Sequence, residues 1–171
     1  MTKLQPSSLL TAAVIGLVLL TPATTLATAA IRTNSSTNPV STHSLIAQNS
    51  AAQYLEEGQK LGQAGDFRGA EAAFRKAIQL DPNNAQAHNN LGFALFEQGK
   101  VEEAIAEYRH ALRINPNDAM AHNNLGAALF TQGKVEEAIA ELKQARNLFR
   151  VQGQAQIAGQ IDLLLQKLNA Q

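Results

Sequence analysis

Two acidic pairs, Glu102-Glu103 and Glu136-Glu137, and the histidines His88, His110 and His122 are the side chains of this chain best suited to acid–base chemistry or metal binding. A Ser, Thr or Cys nucleophile would need a base beside it. Between Ala51 and Gln171 there is no Ser and no Cys, and the only Thr is Thr131. The acidic pairs recur in register, each at a position where a helix begins. Carboxylates there compensate the positive end of the helix dipole, which accounts for them without catalysis. His88 and His122 recur at the same period without a third ligand at metal-site spacing, and neither His110 nor His43 has a partner group nearby in sequence. The expectation is no enzyme, no metal and no cofactor.

The remaining composition excludes further classes. With no Cys in 171 residues, disulfide frameworks, thiolate zinc sites, catalytic thiols and a lipid-modified Cys are all ruled out. Lys plus Arg number 14 and Asp plus Glu 14, so no net positive charge steers the chain onto phosphate backbones. Its few aromatics do not interleave with basic residues, which argues against nucleic acid as a partner.

What must position any working residues divides into segments. Residues 1–30 carry one charge, Lys3, then an apolar run from Leu9 to Leu20, Pro22, and the small-residue stretch Ala27-Thr28-Ala29. This is the layout of a secretory signal peptide, with cleavage expected after Ala29 or Ala30 and a periplasmic or extracellular product. A membrane-spanning helix needs about 20 apolar residues, so the run is short for one. The alternative is an uncleaved signal anchor that holds the protein to the outer face of the cytoplasmic membrane. Residues 31–50 are rich in Ser, Thr and Asn without periodicity and read as a flexible linker.

From Ala51 the chain repeats. Three blocks of equal length, 51–84, 85–118 and 119–152, align with one another, with Ala-His-Asn-Asn-Leu-Gly at 87–92 and 121–126, and Gln-Gly-Lys-Val-Glu-Glu-Ala-Ile-Ala-Glu at 98–107 and 132–141. Such a period marks a solenoid whose units bury their apolar faces against one another. Each block reads as two helices. In the second, Leu91, Ala94 and Leu95 give the apolar stripe of helix A, and Gly99 ends it. Helix B runs through Ala104, Ile105, Tyr108, Ala111 and Leu112 to Pro116. The predicted fold is all-α, a helical solenoid. In 153–171, Ile157, Ile161, Leu164, Leu165 and Leu168 form one stripe, expected to be a capping helix over the last repeat, the alternative being a stripe that docks a partner or a second copy.

These residues resemble the tetratricopeptide repeat. The first block supplies Tyr54, Gly58, Leu61, Ala70, Phe74, Ala77 and Pro82 at the positions that family requires, with Glu57 in place of Leu. The second supplies His88, Leu91, Gly92, Leu95, Ala104, Tyr108, Ala111 and Pro116. The third supplies His122, Leu125, Gly126, Leu129, Ala138, Leu142 and Ala145, then Arg150 where Pro belongs, which should let its second helix run on.

The resemblance implies a concave surface lined by helix A at its second, fifth, ninth, twelfth and thirteenth positions. Carried onto this chain, the peptide-binding groove comprises Ala52, Leu55, Gln59, Gly62 and Gln63, then Gln86, Asn89, Phe93, Phe96 and Glu97, then Met120, Asn123, Ala127, Phe130 and Thr131. The second and third repeats differ at six of their first 27 positions, and three of the six are groove positions: Gln86 against Met120, Phe93 against Ala127, Glu97 against Thr131. One subgroup of the family grips C-terminal carboxylates with Lys, Arg and Asn. Here Leu55, Gln59, Met120 and Asn124 stand at those places and Asn90 alone is kept, which argues against a clamp of that kind. The expected function is an exported adaptor or scaffold that binds a peptide or protein segment, with the phenylalanines as apolar anchors and the asparagines addressing an extended main chain. The alternative is a membrane-tethered assembly factor.

Overall fold

A computed structural model describes residues 39–169, and side chains over 50–168. The described residues form seven helices and no strand: α1 (Pro39–Gln63), α2 (Phe67–Leu80), α3 (Ala85–Glu97), α4 (Val101–Ile114), α5 (Ala119–Thr131), α6 (Val135–Val151) and α7 (Ala155–Asn169). Helices α1, α3 and α5 are the A helices of three repeats, and α2, α4 and α6 their B partners. Among the described residues, no helix is long and apolar enough to cross a membrane. The signal layout lies outside the described residues.

The turns follow from a few residue choices. Gly99 and Gly133 adopt φ of +78° and +81°, a left-handed conformation that favours glycine. Each closes helix A with the same paired bonds: Lys100 N–H to Leu95 O and Gly99 N–H to Phe96 O, then Lys134 N–H to Leu129 O and Gly133 N–H to Phe130 O. Helices α3 and α5 start on side-chain caps, in which Asn84 accepts from Ala87 N–H and Asp118 from Met120 and Ala121 N–H. Lys100 and Lys134 provide no such cap for α4 and α6, and Glu102-Glu103 and Glu136-Glu137 occupy their first turns instead.

Packing within a repeat depends on a glycine facing a large ring or branched chain. A Cβ on Gly92 would lie 2.7 Å from the Tyr108 ring, and one on Gly126 would lie 2.9 Å from Leu142 Cγ. The core is continuous: Phe74, Leu91, Leu95, Ile105, Tyr108, Leu125 and Leu129 form one buried cluster across the three repeats.

One boundary differs from the sequence-based expectation, and another follows it. Helix α1 begins at Pro39, so 39–50 of the expected linker is helical. Proline is well suited to a first helical turn, and no further proline interrupts the chain before Gln63. At the other end, without a proline at position 150, α6 extends over 17 residues, against 14 in α4, and turns at Gly153. Helix α7 then covers the third repeat, burying Ala158, Ile161, Leu165 and Leu168 against Ala119, Leu142, Ala145 and Phe149. Asp162 anchors it by ion pairs to Arg146 and Arg150.

Candidate functional site

The A-helix face presents its residues at different depths. Asn89, Asn123 and Asn124 are buried, and the Asn124 side-chain N–H donates to Asn89 Oδ1 at 3.1 Å, joining α5 to α3. Asn124 Oδ1 is buried with no hydrogen-bond partner among the described residues. Asn89 and Asn123 therefore sit deeper than a freely exposed groove surface would place them.

The apolar candidates divide the same way. Phe93 is half-buried and stands edge-on to Phe67, ring centroids 6.0 Å apart at 79°. Leu55 and Phe96 pack against the main core cluster, and Met120 against the cluster under α7. Phe130 packs against both clusters and also against Ala127, which is itself buried beside Leu164 of α7. The capping helix thus occupies the space over Ala127, where the family resemblance implies a ligand. Gln86 is exposed, and Gln59 and Glu97 are half-buried. Burial raises the Glu97 carboxyl above its ordinary range.

Residues outside the carried-over set also shape the site. His88 Nδ1 meets Glu107 Oε2 at 2.7 Å and its Nε2 meets the Pro82 carbonyl at 3.1 Å. His122 repeats this with Glu141 at 2.6 Å and the Pro116 carbonyl at 3.0 Å. Hydrogen bonding to Glu141, then to the Pro116 carbonyl, lifts the His122 imidazole above its usual value. These histidines fill the packing slot and tie helix A to helix B. The sequence signal is the constant spacing between each His and its Glu, the same in both repeats. The ring of His110 stacks on His88, centroids 4.0 Å apart and 6° from parallel. Burial and the neighbouring His88 and Arg113 lower its affinity for a proton. A third polar network joins repeats one and two. Glu71 receives Lys100 at 2.8 Å, Gln98 and Arg75, and these hydrogen bonds outweigh the burial that opposes ionisation, bringing its pKa down to about 2. No group of three or more His, Asp or Glu able to hold a metal occurs among the described residues.

Family profiles match this arrangement, described as TPR repeat over residues 58–99 and 94–133 and as Tetratricopeptide repeat over 119–150. The chain belongs to the tetratricopeptide-repeat family. No curated protein matches it. Among solved structures, this repeat chain is similar to the TPR2B-domain:pHsp70 complex of yeast Sti1, at 25% identity and a TM-score of 0.67 over 71% of this chain and 97% of that one. The first TPR of Spaghetti (RPAP3), bound to the HSP90 peptide SRMEEVD, is 25% identical with a TM-score of 0.58, over 66% of this chain and 93% of that one. An O-GlcNAc transferase from Thermobaculum terrenum is 29% identical with a TM-score of 0.58, over 60% of this chain but 20% of the transferase.

Proposed function

We propose that this tetratricopeptide-repeat chain is an exported adaptor that binds an extended protein segment along the face of α1, α3 and α5. The observation that carries the reading is the α3 face, where Gln86 is exposed and Phe93 and Glu97 are half-buried, while Asn89, Asn123 and Asn124 are buried. Half-buried Phe93 offers apolar contact, and exposed Gln86 offers an amide to the main chain of an extended segment. The similar structures bound to chaperone-derived ligands support a peptide as the ligand class. The acidic peptide SRMEEVD is a poor fit here, because no groove position holds Lys or Arg. Export rests on Lys3, the Leu9–Leu20 run and Ala27-Thr28-Ala29. The lack of Ser and Cys from residues 51–171 favours binding over catalysis.

A photo-crosslinker at exposed Gln86, compared with one at exposed Ala106 on α4, tests the groove in the native envelope. Specific protein adducts from position 86 and none from 106 are expected. Equal labelling from both would overturn the reading. The apolar Leu9–Leu20 run also favours a second reading, a tethered assembly factor. N-terminal sequencing separates the two, since a chain beginning near Ala30 has lost the tether.

A further inference from the structure

Glu97 is the last residue of α3, where the helix dipole disfavours a negative charge. It is half-buried, and burial opposes its ionisation. Every other half-buried carboxylate among the described residues has a partner. Glu71 meets Lys100, Glu107 meets His88, Glu141 meets His122 and Asp162 meets Arg146, while Asp81 and Asp118 accept backbone N–H groups. Glu97 has neither an ion pair nor a hydrogen bond among the described residues; its one electrostatic neighbour is the buried Tyr108 phenol, which it helps keep protonated. The nearest cation in sequence, Lys100, is already held by Glu71 at 2.8 Å.

The fold itself does not call for this carboxylate. The third repeat, nearly identical over this stretch, carries Thr131 there, and its hydroxyl donates back to the Ala127 carbonyl at 3.0 Å. A side chain that is unfavourable to its own helix, unpaired, and replaced in the sister repeat by a neutral one marks a functional position. Glu97 lies four residues beyond Phe93, on the same helix face. An aromatic ring followed by a carboxylate matches the alkyl stem and charged head of Lys or Arg.

We propose that the segment bound in the groove carries a lysine or arginine whose charged head pairs with Glu97 while its stem lies against Phe93. This rests on the groove reading above and adds the charge of the ligand to it. The occupant is a basic extended peptide, opposite in charge to the acidic peptide held by the first TPR of Spaghetti (RPAP3).

The test selects a displayed random-peptide library in parallel on the full-length protein and on Glu97→Lys, with circular dichroism to verify that both fold. Lys or Arg should be enriched at one register on the wild type, and Asp or Glu at that register on Glu97→Lys. For a synthetic peptide selected on the wild type, Glu97→Gln should weaken binding about tenfold. Replacing the peptide's cation by Met should cause a similar loss, with little further loss when both changes are combined. Enrichment of one uncharged motif on both proteins, with binding unchanged by Glu97→Gln but lost in Phe93→Ala, would overturn this inference and leave the groove reading standing. Peptides that bind Phe93→Ala as well as the wild type, or no enrichment at all, would overturn both.

Discussion

The Asn124 side-chain amide donates to Asn89 Oδ1 at 3.1 Å, linking the A helices of adjacent repeats through two buried polar side chains. Asn89→Ala would leave the Asn124 amide N–H buried without its acceptor, at a cost of about 1–3 kcal/mol. Replacing both residues with Leu removes donor and acceptor together and should recover much of that loss. Urea unfolding of the single and double variants checks the expectation.

The repeat period reveals where helices start and stop, because Gly99, Gly133, Pro82 and Pro116 act through local backbone geometry. It also reveals which face of helix A is shared between repeats. It does not reveal depth. Asn89 and Asn124 are far apart in sequence, and whether their amides meet each other or a ligand depends on how closely α3 and α5 approach. Ala127 reads as a groove position by register, yet α7 packs Leu164 beside it, an outcome set by the longer α6 and the turn at Gly153. The start of α1 at Pro39 was hidden because its Ser- and Thr-rich composition is shared by linkers and by helix starts.

The His122–Glu141 contact at 2.6 Å should make stability depend on pH. The folded-state pKa of His122 is raised, so its contribution is fully present below about pH 6.5, the ordinary histidine value, and is lost as pH rises through the folded-state value. Wild type should exceed Glu141→Gln in stability near pH 5.5, and the gap should close toward pH 8. Because the pair is partly exposed, the gap should be no more than about 1 kcal/mol. A gap that widens with pH would contradict this account.

Glycine substitutions in two helices should act with opposite sign. A Cβ on Gly126 would meet Leu142 Cγ at 2.9 Å and the Ala138 carbonyl at 3.2 Å, so Gly126→Ala should destabilise by about 1–3 kcal/mol. Gly159 is exposed within α7, with nothing near its would-be Cβ. Gly159→Ala should stabilise by about 0.5–1 kcal/mol through helix propensity. Thermal unfolding monitored by circular dichroism reads both.

Phe93 and Phe130 should separate binding from folding. Phe130 packs against two core clusters and Ala127, so Phe130→Ala should lose about 3 kcal/mol of stability along with any loss of binding. Phe93 packs chiefly edge-on to Phe67, so Phe93→Ala should lose only about 1 kcal/mol. If Phe93 also anchors the ligand, its truncation should weaken peptide capture by more than its small stability loss can explain. Pulldown at a temperature well below both unfolding midpoints keeps the two effects apart. Capture by Phe93→Ala equal to wild type would remove Phe93 from the binding surface and overturn the groove reading.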